Sequence, residues 1–357
     1  MIDFSTLIGK KILVTGHTGF KGRWLCLLLR KFELDVTGLS MSDNFVKESR
    51  FLYDKLEIPE YFADLRDAAE TKRIIENCQP DIVIHMAAQS LVGASIDDPA
   101  GTISSNVMGF TNLFVGLMSA KPDAILLNIT SDKVYRNSEK GTNFKETDEL
   151  GGSDPYSCSK SCVELLSFSL FQTYVLKLQM VDMSVFNLRA GNVIGGADFG
   201  RNRIIPDIYR SVSNGDVLKI RMPDAVRPWQ HVVEALFGYL IVLTQSISSG
   251  ERRQFESFNV GPINTQHASV ENIVVKAGDY FTSLKFDIEQ GGSAEANLLN
   301  LDCNKLVSEC GWSQVYSENT WFDLTFNWYK KFMEGNSAIS LMESDIDAFL
   351  LSSQSEY

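Results

Sequence analysis

Histidine is scarce: the four in 357 residues (His17, His85, His231, His267) stand far apart and form no ligand spacing, so no metal site is expected. Cysteine is scattered too. The six (Cys26, Cys78, Cys158, Cys162, Cys303, Cys310) include no C-x-x-C, and Cys158 and Cys162 stand only at i, i+4. Free thiols in a reducing cytoplasm are the expectation. Basic residues are outnumbered, 33 Lys and Arg against 45 Asp and Glu, giving a net charge of −12. That balance argues against nucleic acid or an anionic membrane as the main partner. An anionic small ligand needs only local Arg or Lys. No uninterrupted apolar run approaches the roughly 18 residues that span a bilayer. No leader is read in MIDFSTLIGKK, which runs straight into a strand pattern. What remains, at 44% hydrophobic and 22% charged, is the composition of an ordinary soluble globular chain.

The organising stretch is KILVTGHTGFKGRWL, Lys11 to Leu25. An apolar run, Ile12-Leu13-Val14, is followed by Gly16, Gly19 and Gly22, then by the helix-compatible segment Trp24 to Leu29. Strand, glycine turn and helix in that order bring backbone N–H groups and a helix N-terminus against a pyrophosphate, since no Cβ intervenes. Gly22 lets the helix pack closely on the strand. A purely structural turn is the alternative.

Strand and helix patterns then alternate. Strands are expected at 35–39, 62–65, 81–86, 124–130 and 183–188, with helices at 68–78, 99–118 and 154–176. Asp154 serves the last helix as N-cap and Pro155 as its first residue. The alternation with continuous apolar strands predicts an α/β fold: a Rossmann-type doubly wound parallel sheet covered on both faces, with a smaller C-terminal α/β substrate-binding lobe. The division expected is residues 1–190 for the dinucleotide-binding domain and 191–357 mainly for the lobe, some of whose segments return to the sheet. A helix is expected at 321–333. The Ser- and acid-rich tail after Gly335 is expected to hold a short helix near 346–351 and a frayed end. Cofactor choice is weakly written. Ser40 stands where an acidic partner of the NAD ribose usually lies, Asp43 is farther along, and no arginine is there for a 2′-phosphate; NAD is favoured over NADP. Asp64 is a candidate acceptor for the adenine amino group.

Two motifs carry chemistry. Tyr156-Ser157-Cys158-Ser159-Lys160 puts a phenol and an ammonium on one helical face, and a nearby cation lowers a phenol's pKa. Thr130-Ser131-Asp132-Lys133 ends a strand with a hydroxyl, an acid and a possible base. Simple hydride transfer needs neither of the last two.

With VTGHTGFKGRWL, HMAAQSLV, SSNVMGFTNL, ITSDKVY, DPYSCSK, RAGNVIGG, NRIIPDI, RPWQHVVE and LDCNK, the chain resembles the CDP-glucose 4,6-dehydratases of the extended short-chain dehydrogenase/reductase superfamily. The resemblance implies that Tyr156 takes the sugar O4 proton as hydride leaves C4 for NAD⁺. Ser131 orients that hydroxyl, and Lys160 supports Tyr156 and the nicotinamide ribose. Lys133, which must then be partly neutral, abstracts the C5 proton. Asp132 protonates the departing C6 hydroxyl, and hydride returns to C6. The cofactor site implied comprises Gly16, Thr18, Gly19, Phe20, Gly22, Asp64, Leu65, Ala87, Ala88, Gln89, Asn106, Tyr156 and Lys160. Asn192 and Arg203 are implied to hold the pyrophosphate and Arg227 a nucleotide phosphate. A homodimer or homotetramer pairing through the 99–118 and 154–176 helices is implied as well, as is service in deoxysugar or polysaccharide synthesis.

The chain departs from the family where LVRxSY is replaced by residues with Gly93 and Ile96, and where PHEAHYLKLD is replaced by residues with Ala294 and Asn297. Another nucleotide sugar, a 4-epimerase, or a non-catalytic NAD(P)-binding regulator remain alternatives to CDP-glucose dehydration.

Overall fold

The structure, a computed structural model, describes residues 2–41, 56–137, 141, 143–263, 268–289 and 299–355. Asp43, His267, Ala294 and Asn297 lie outside the described residues.

Apolar runs make the central layer. β1 (Lys11–Thr15), β2 (Asp35–Ser40), β3 (Glu60–Phe62), β4 (Ile82–His85) and β5 (Ile125–Ile129) join two later strands, Ser184–Ala190 and Phe255–Val260. All seven form one sheet in the spatial order β3, β2, β1, β4, β5, 184–190, 255–260, and each neighbouring pair is parallel. Ile12, Val14, Ile82, Ile84, Leu127 and Leu188 face one helical layer, while Leu13, Val83, Leu126 and Val185 face the other. Strands buried on both faces have no polar face to alternate, which explains their unbroken apolar run. The order reverses between β1 and β4. Ligands of such sheets bind outside the carboxyl ends at that switch.

The helices follow local signals. α1 (Phe20–Lys31) leaves the glycine turn. α2 (Ala68–Cys78) is capped by Asp67, whose carboxylate accepts from Glu70 N at 3.0 Å. α3 (Val92–Asp97) is short. α4 (Pro99–Ile103) passes through a π-helical stretch, Ser104–Met108, into α5 (Gly109–Ala120). α6 (Pro155–Leu170) has Asp154 as its N-cap, accepting from Ser157 N at 2.9 Å, and continues as π-helix through Phe171–Lys177. α7 (Ile204–Asn214) ends on Gly215 in the left-handed region.

α8 (Val232–Ser249), with mean hydropathy 1.4, is long and apolar enough by length and composition to cross a membrane, although Glu234 and the polar residues from Thr244 on interrupt its apolar run. In the fold, 72% of it is buried. It packs against the large core cluster through Leu236, Leu240 and Leu243.

Three small parallel strand pairs flank the sheet. Val193–Ile194 pairs with Gln230–His231, Val217–Ile220 with Lys285–Ile288, and Asn143–Phe144 with Asn300–Leu301.

Three expectations shift. The third strand occupies 60–62 instead of 62–65, because Leu65 is drawn into the core against Ile75 and Phe110 and leaves the ladder. Helix 99–118 is a composite with a π-helical middle. The tail's helix is longer than expected: Ala338–Ser355 is a single helix burying Ala338, Leu341, Met342, Ile346 and Phe349, and the last two residues lie outside the described ones. It rests on α1, where Glu343 pairs with Arg30 at 2.7 Å and Asp347 with Lys31.

Candidate active site

The glycine turn works by backbone geometry. Gly16 has φ +74°, and a Cβ there would meet the Ala87 backbone nitrogen at 2.8 Å. A Cβ on Gly22 would lie 2.2 Å from the Gly16 carbonyl oxygen. Gly19 caps α1 with no side-chain hydrogen bond, so the first-turn N–H groups are left to a ligand. The turn is braced from neighbouring strands. Thr15 Oγ1 accepts from Met86 N and Ala87 N, each at 3.2 Å. Thr18 N donates to Ser40 Oγ at 3.2 Å. Ser40, where an acid was sought, is buried and also contacts His17 Nδ1 at 3.0 Å; His17 Nε2 lies 2.9 Å from Glu60. Burial holds the His17 imidazole below its ordinary value against the pull of Glu60. Phe20 opens α1 and packs on the large core cluster. This cradle, with its close backbone approach and uncapped helix end, fits the pyrophosphate of a dinucleotide.

Other sequence-predicted cofactor residues sit around the cradle in different ways. Ala87, Ala88 and Gln89 form the loop after β4. Asn106, 2% exposed in the π-helical stretch, accepts from Gln89 N at 2.8 Å. Its amide donates to Gln89 O and to Ser159 Oγ at 2.8 Å, tying that loop to α6. Asp64 is engaged locally: Arg66 donates to it from its backbone N and its guanidinium, and holds its carboxyl below the usual range. Leu65 is a core residue whose carbonyl accepts from Asn112.

The reactive side chains converge beyond β5. Ser131, Asp132, Tyr156 and Lys160 are buried. Ser131 Oγ donates to Asp132 Oδ1 at 2.9 Å and accepts from Lys133 N at 3.2 Å, and Ser131 is close enough to the Tyr156 phenol to pull its pKa down. Lys133 Nζ is 3.7 Å from Asp132 Oδ1. Asp132 Oδ2, by contrast, has no hydrogen-bond partner among the described residues although Asp132 is 1% exposed. Lys160 Nζ donates to Ile129 O at 3.1 Å, and burial pushes this lysine down to about 8. Tyr156 is raised, contrary to the expected lowering. Burial outweighs the opposing pull of Lys133, Ser131 and Arg203.

The phosphate candidates divide. Arg227 lines a small cavity with Lys133, Tyr135, Asp154, Ser157 and Leu299. Arg203 is paired with Asp198 at 3.1 Å, donates to Ser90 Oγ at 3.2 Å and acts electrostatically on Tyr156. Asn192 is half-buried, and its carbonyl accepts from Gln230 N at 3.0 Å. At the departures, Gly93 opens toward Asn202, 3.9 Å from a Cβ placed there, and Ile96 is 52% exposed.

Sequence reasoning missed Lys21, although HTGFKG contains it. Lys21 Nζ donates to Tyr239 Oη at 3.2 Å. It is pushed down to about 7, first by burial, then by Lys160 and Arg203. Only the fold brings it to Asp132, whose charge opposes that shift.

Comparison with known proteins fits this geometry. A family model described as GDP-mannose 4,6 dehydratase matches residues 13–323. The chain is 36% identical to CDP-glucose 4,6-dehydratase of Salmonella typhimurium, covering 98% of this chain and 99% of that one. It is 27% identical to dTDP-glucose 4,6-dehydratase of the same organism, over 89% and 92%. Among solved structures, UDP-glucose 4-epimerase of Stenotrophomonas maltophila with bound NAD superposes with a TM-score of 0.76 at 21% identity, over 92% of this chain and 100% of that one. A dTDP-glucose 4,6-dehydratase mutant of Streptomyces venezuelae superposes at 0.74 and 21% identity, over 90% and 97%. These two likenesses speak for the fold: a Rossmann-like parallel sheet shared with nucleotide-sugar epimerases and dehydratases. With the family model spanning most of its length and a relative above a third identical end to end, this chain belongs to the GDP-mannose 4,6 dehydratase family, among the nucleotide-sugar dehydratases of the extended short-chain dehydrogenase/reductase fold.

Proposed function

We propose that this protein is an NAD-dependent 4,6-dehydratase of nucleotide sugars, a hydro-lyase, and that its substrate is CDP-glucose, which becomes CDP-4-keto-6-deoxyglucose. The observation that carries the reading is Asp132: a buried carboxyl with an unpartnered oxygen, beside Ser131, Tyr156 and Lys133. Oxidation and re-reduction at C4 alone require no such acid. The choice of CDP-glucose rests on the Salmonella relative.

The Gly16–Gly22 turn, the loop 87–89 and Lys160 would hold NAD, which would supply hydride acceptance at C4 and hydride return at C6. The protein's own groups handle protons. Tyr156, with Ser131 beside it, removes the O4 proton, which requires its raised phenol to meet a charged site. Lys160 holds the ribose. Lys133 takes the C5 proton, acidic once C4 is a ketone, and returns it to C5 when hydride reaches C6. Asp132 gives a proton to the leaving C6 hydroxyl. Arg227 neutralises a phosphate in the cavity it shares with Lys133, while Asn192 and Arg203 hold the pyrophosphate side.

We further propose a homodimer or homotetramer built on α4–α5 and α6. These helices expose Ile103 (38%), Met108 (47%), Val115 (52%), Leu165 (57%) and Phe168 (50%), apolar area suited to a four-helix interface. A cytoplasmic enzyme of deoxysugar synthesis, without nucleic acid or membrane as partner, completes the reading; its cysteines are all free thiols.

The test is to incubate the purified protein and NAD with CDP-, dTDP-, GDP- and UDP-linked hexoses. NMR is expected to find a 4-keto-6-deoxy sugar from CDP-glucose. Inversion at C4 without loss of water would replace the reading with a 4-epimerase. No product from any of them would reject it.

A further inference from the structure

Lys160 is supported from behind by a buried ion pair that the reaction itself does not call on. One helical turn after Lys160 on α6 stands Glu164, 2% exposed. Its Oε1 accepts the Thr130 hydroxyl at 2.6 Å. Both its oxygens accept from the Arg189 guanidinium, with Nε at 2.9 Å from each. Arg189 lies on the neighbouring strand, 3% exposed. Thr130 directly precedes Ser131. The far side of Arg189 donates to Tyr135 Oη at 2.8 Å, and Tyr135 donates to Asn259 Oδ1 at 2.6 Å. The Asn259 amide then reaches the carbonyls of Phe144 and Asp302 at 2.8 and 3.0 Å. Tyr135 and Leu299 also line the cavity that holds Lys133 and Arg227. One hydrogen-bonded chain thus runs from the strand end that carries Ser131 to a wall of that cavity.

Buried ion pairs seldom stabilise more than apolar packing of the same volume. This one sits where charge and position both matter to the reaction. We propose that Glu164, pinned by Arg189, is a positioning residue: it fixes the Thr130–Ser131 strand end in register with Tyr156 and sets a carboxylate one helical turn from Lys160 on the same helix. The inference rests on the dehydratase reading for the roles of Lys160 and Tyr156. Burial lowers Lys160 and Glu164 opposes that shift. From other elements, Lys21 on α1 and His85 on β4 face Lys160. His85 is pushed down to about 3 and so is neutral, hydrogen-bonded to Thr15 at 2.7 Å. Lys21 is itself a base that cannot hold a second cation in place. Glu164 is therefore the counter-charge these contacts supply.

The experiment is the pH profile of kcat on CDP-glucose. Activity that needs charged Lys160 falls as pH rises through its pKa. Removing the Glu164 charge moves that alkaline limb toward acid, by about one pH unit, with several-fold loss of kcat and little change in KM. Glu164→Asp is expected to restore part of both. Since Glu164→Gln alone strands Arg189, Glu164→Gln/Arg189→Met is made beside it, with folding checked by circular dichroism and thermal melting. Thr130→Val keeps the charge and cuts the link to the strand, so it lowers kcat without moving the limb. Competitive acetylation followed by peptide mass spectrometry reads the Lys160 titration directly, with no substrate. A folded double variant whose limb and Lys160 titration both match the unmutated protein overturns the proposal. If the unmutated protein makes no 4-keto sugar while Lys160 still titrates lower in the double variant, the dehydratase reading fails and the hold of Glu164 on Lys160 stands.

Discussion

Asp132, just beyond β5, and Glu164, midway along α6, are both buried acids, 1% and 2% exposed, yet they are treated in opposite ways. Glu164 has its oxygens filled by Arg189 and Thr130. Asp132 has one oxygen given to Ser131 and the other given to nothing among the described residues. Folding favours the first arrangement, because a buried polar atom left without a partner costs about 1–3 kcal/mol. An acid kept in the second arrangement is held ready for a ligand. A missing partner alone is not diagnostic, since Asp345 Oδ2 on the last helix lacks one too. Asp132 differs in its company of Ser131, Tyr156 and Lys133.

The sharpest way to break the comparison is Asp132→Asn. Product formation, followed by NMR, is expected to fall by about 10²–10⁴-fold, while NADH absorbance still reports C4 oxidation and the melting temperature holds or rises. A large loss of stability would mean that Asp132 is scaffold after all. The opposite result is expected for Arg189→Met alone, which leaves Glu164 buried and unpaired. Chemical denaturation should show a loss of about 3–5 kcal/mol; a loss under 1 kcal/mol would show that water reaches the pair.

Gly22→Ala offers a case with no charge. Its Cβ would stand 2.2 Å from a backbone oxygen that cannot move aside easily. A stability loss of about 1–3 kcal/mol with weaker NAD binding by calorimetry is expected, and unchanged binding would show that the turn is not the cofactor cradle.

The smallest effect concerns buried groups kept neutral. His85 and His231 are both pushed by burial from the ordinary 6.5 to about 3. Their folded-state pKa values lie below the unfolded one, so the unfolded chain binds more protons in acid. Stability is full above pH 6.5 and declines as pH falls toward 3. Thermal melts at descending pH, with His85→Gln as control, check this; a flat response from neutral pH to about pH 5 would place water beside the imidazoles.

The same contrast marks how far the sequence is legible. Strands β1, β4 and β5 announce themselves because burial on both faces leaves a mostly apolar run, as in Ile82-Val83-Ile84. The Gly16–Gly22 turn and the Tyr156/Lys160 pairing are local, so spacing reveals them. The strand at 255–260 is harder to read, since Glu256 and Ser257 dilute its apolar pattern and only the ladder with 184–190 identifies it. The tail misled through composition: its serines and acids hide a helical recurrence at Ala338, Leu341, Met342, Ile346 and Phe349. Lys21, Glu164 and Arg189 could not be assigned from spacing, because their partners lie on other elements: Tyr239 for Lys21, and Thr130 for the buried pair.

The final helix has one more consequence. Arg30 and Lys31, at the end of the helix that leaves the glycine turn, are clasped by Glu343 and Asp347. The outer face of this βα unit is therefore covered by a segment that lies 313 residues farther along the chain. A premature stop codon or a protease nick near residue 337 would be felt at the glycine turn, as a loosened grip on the nucleotide.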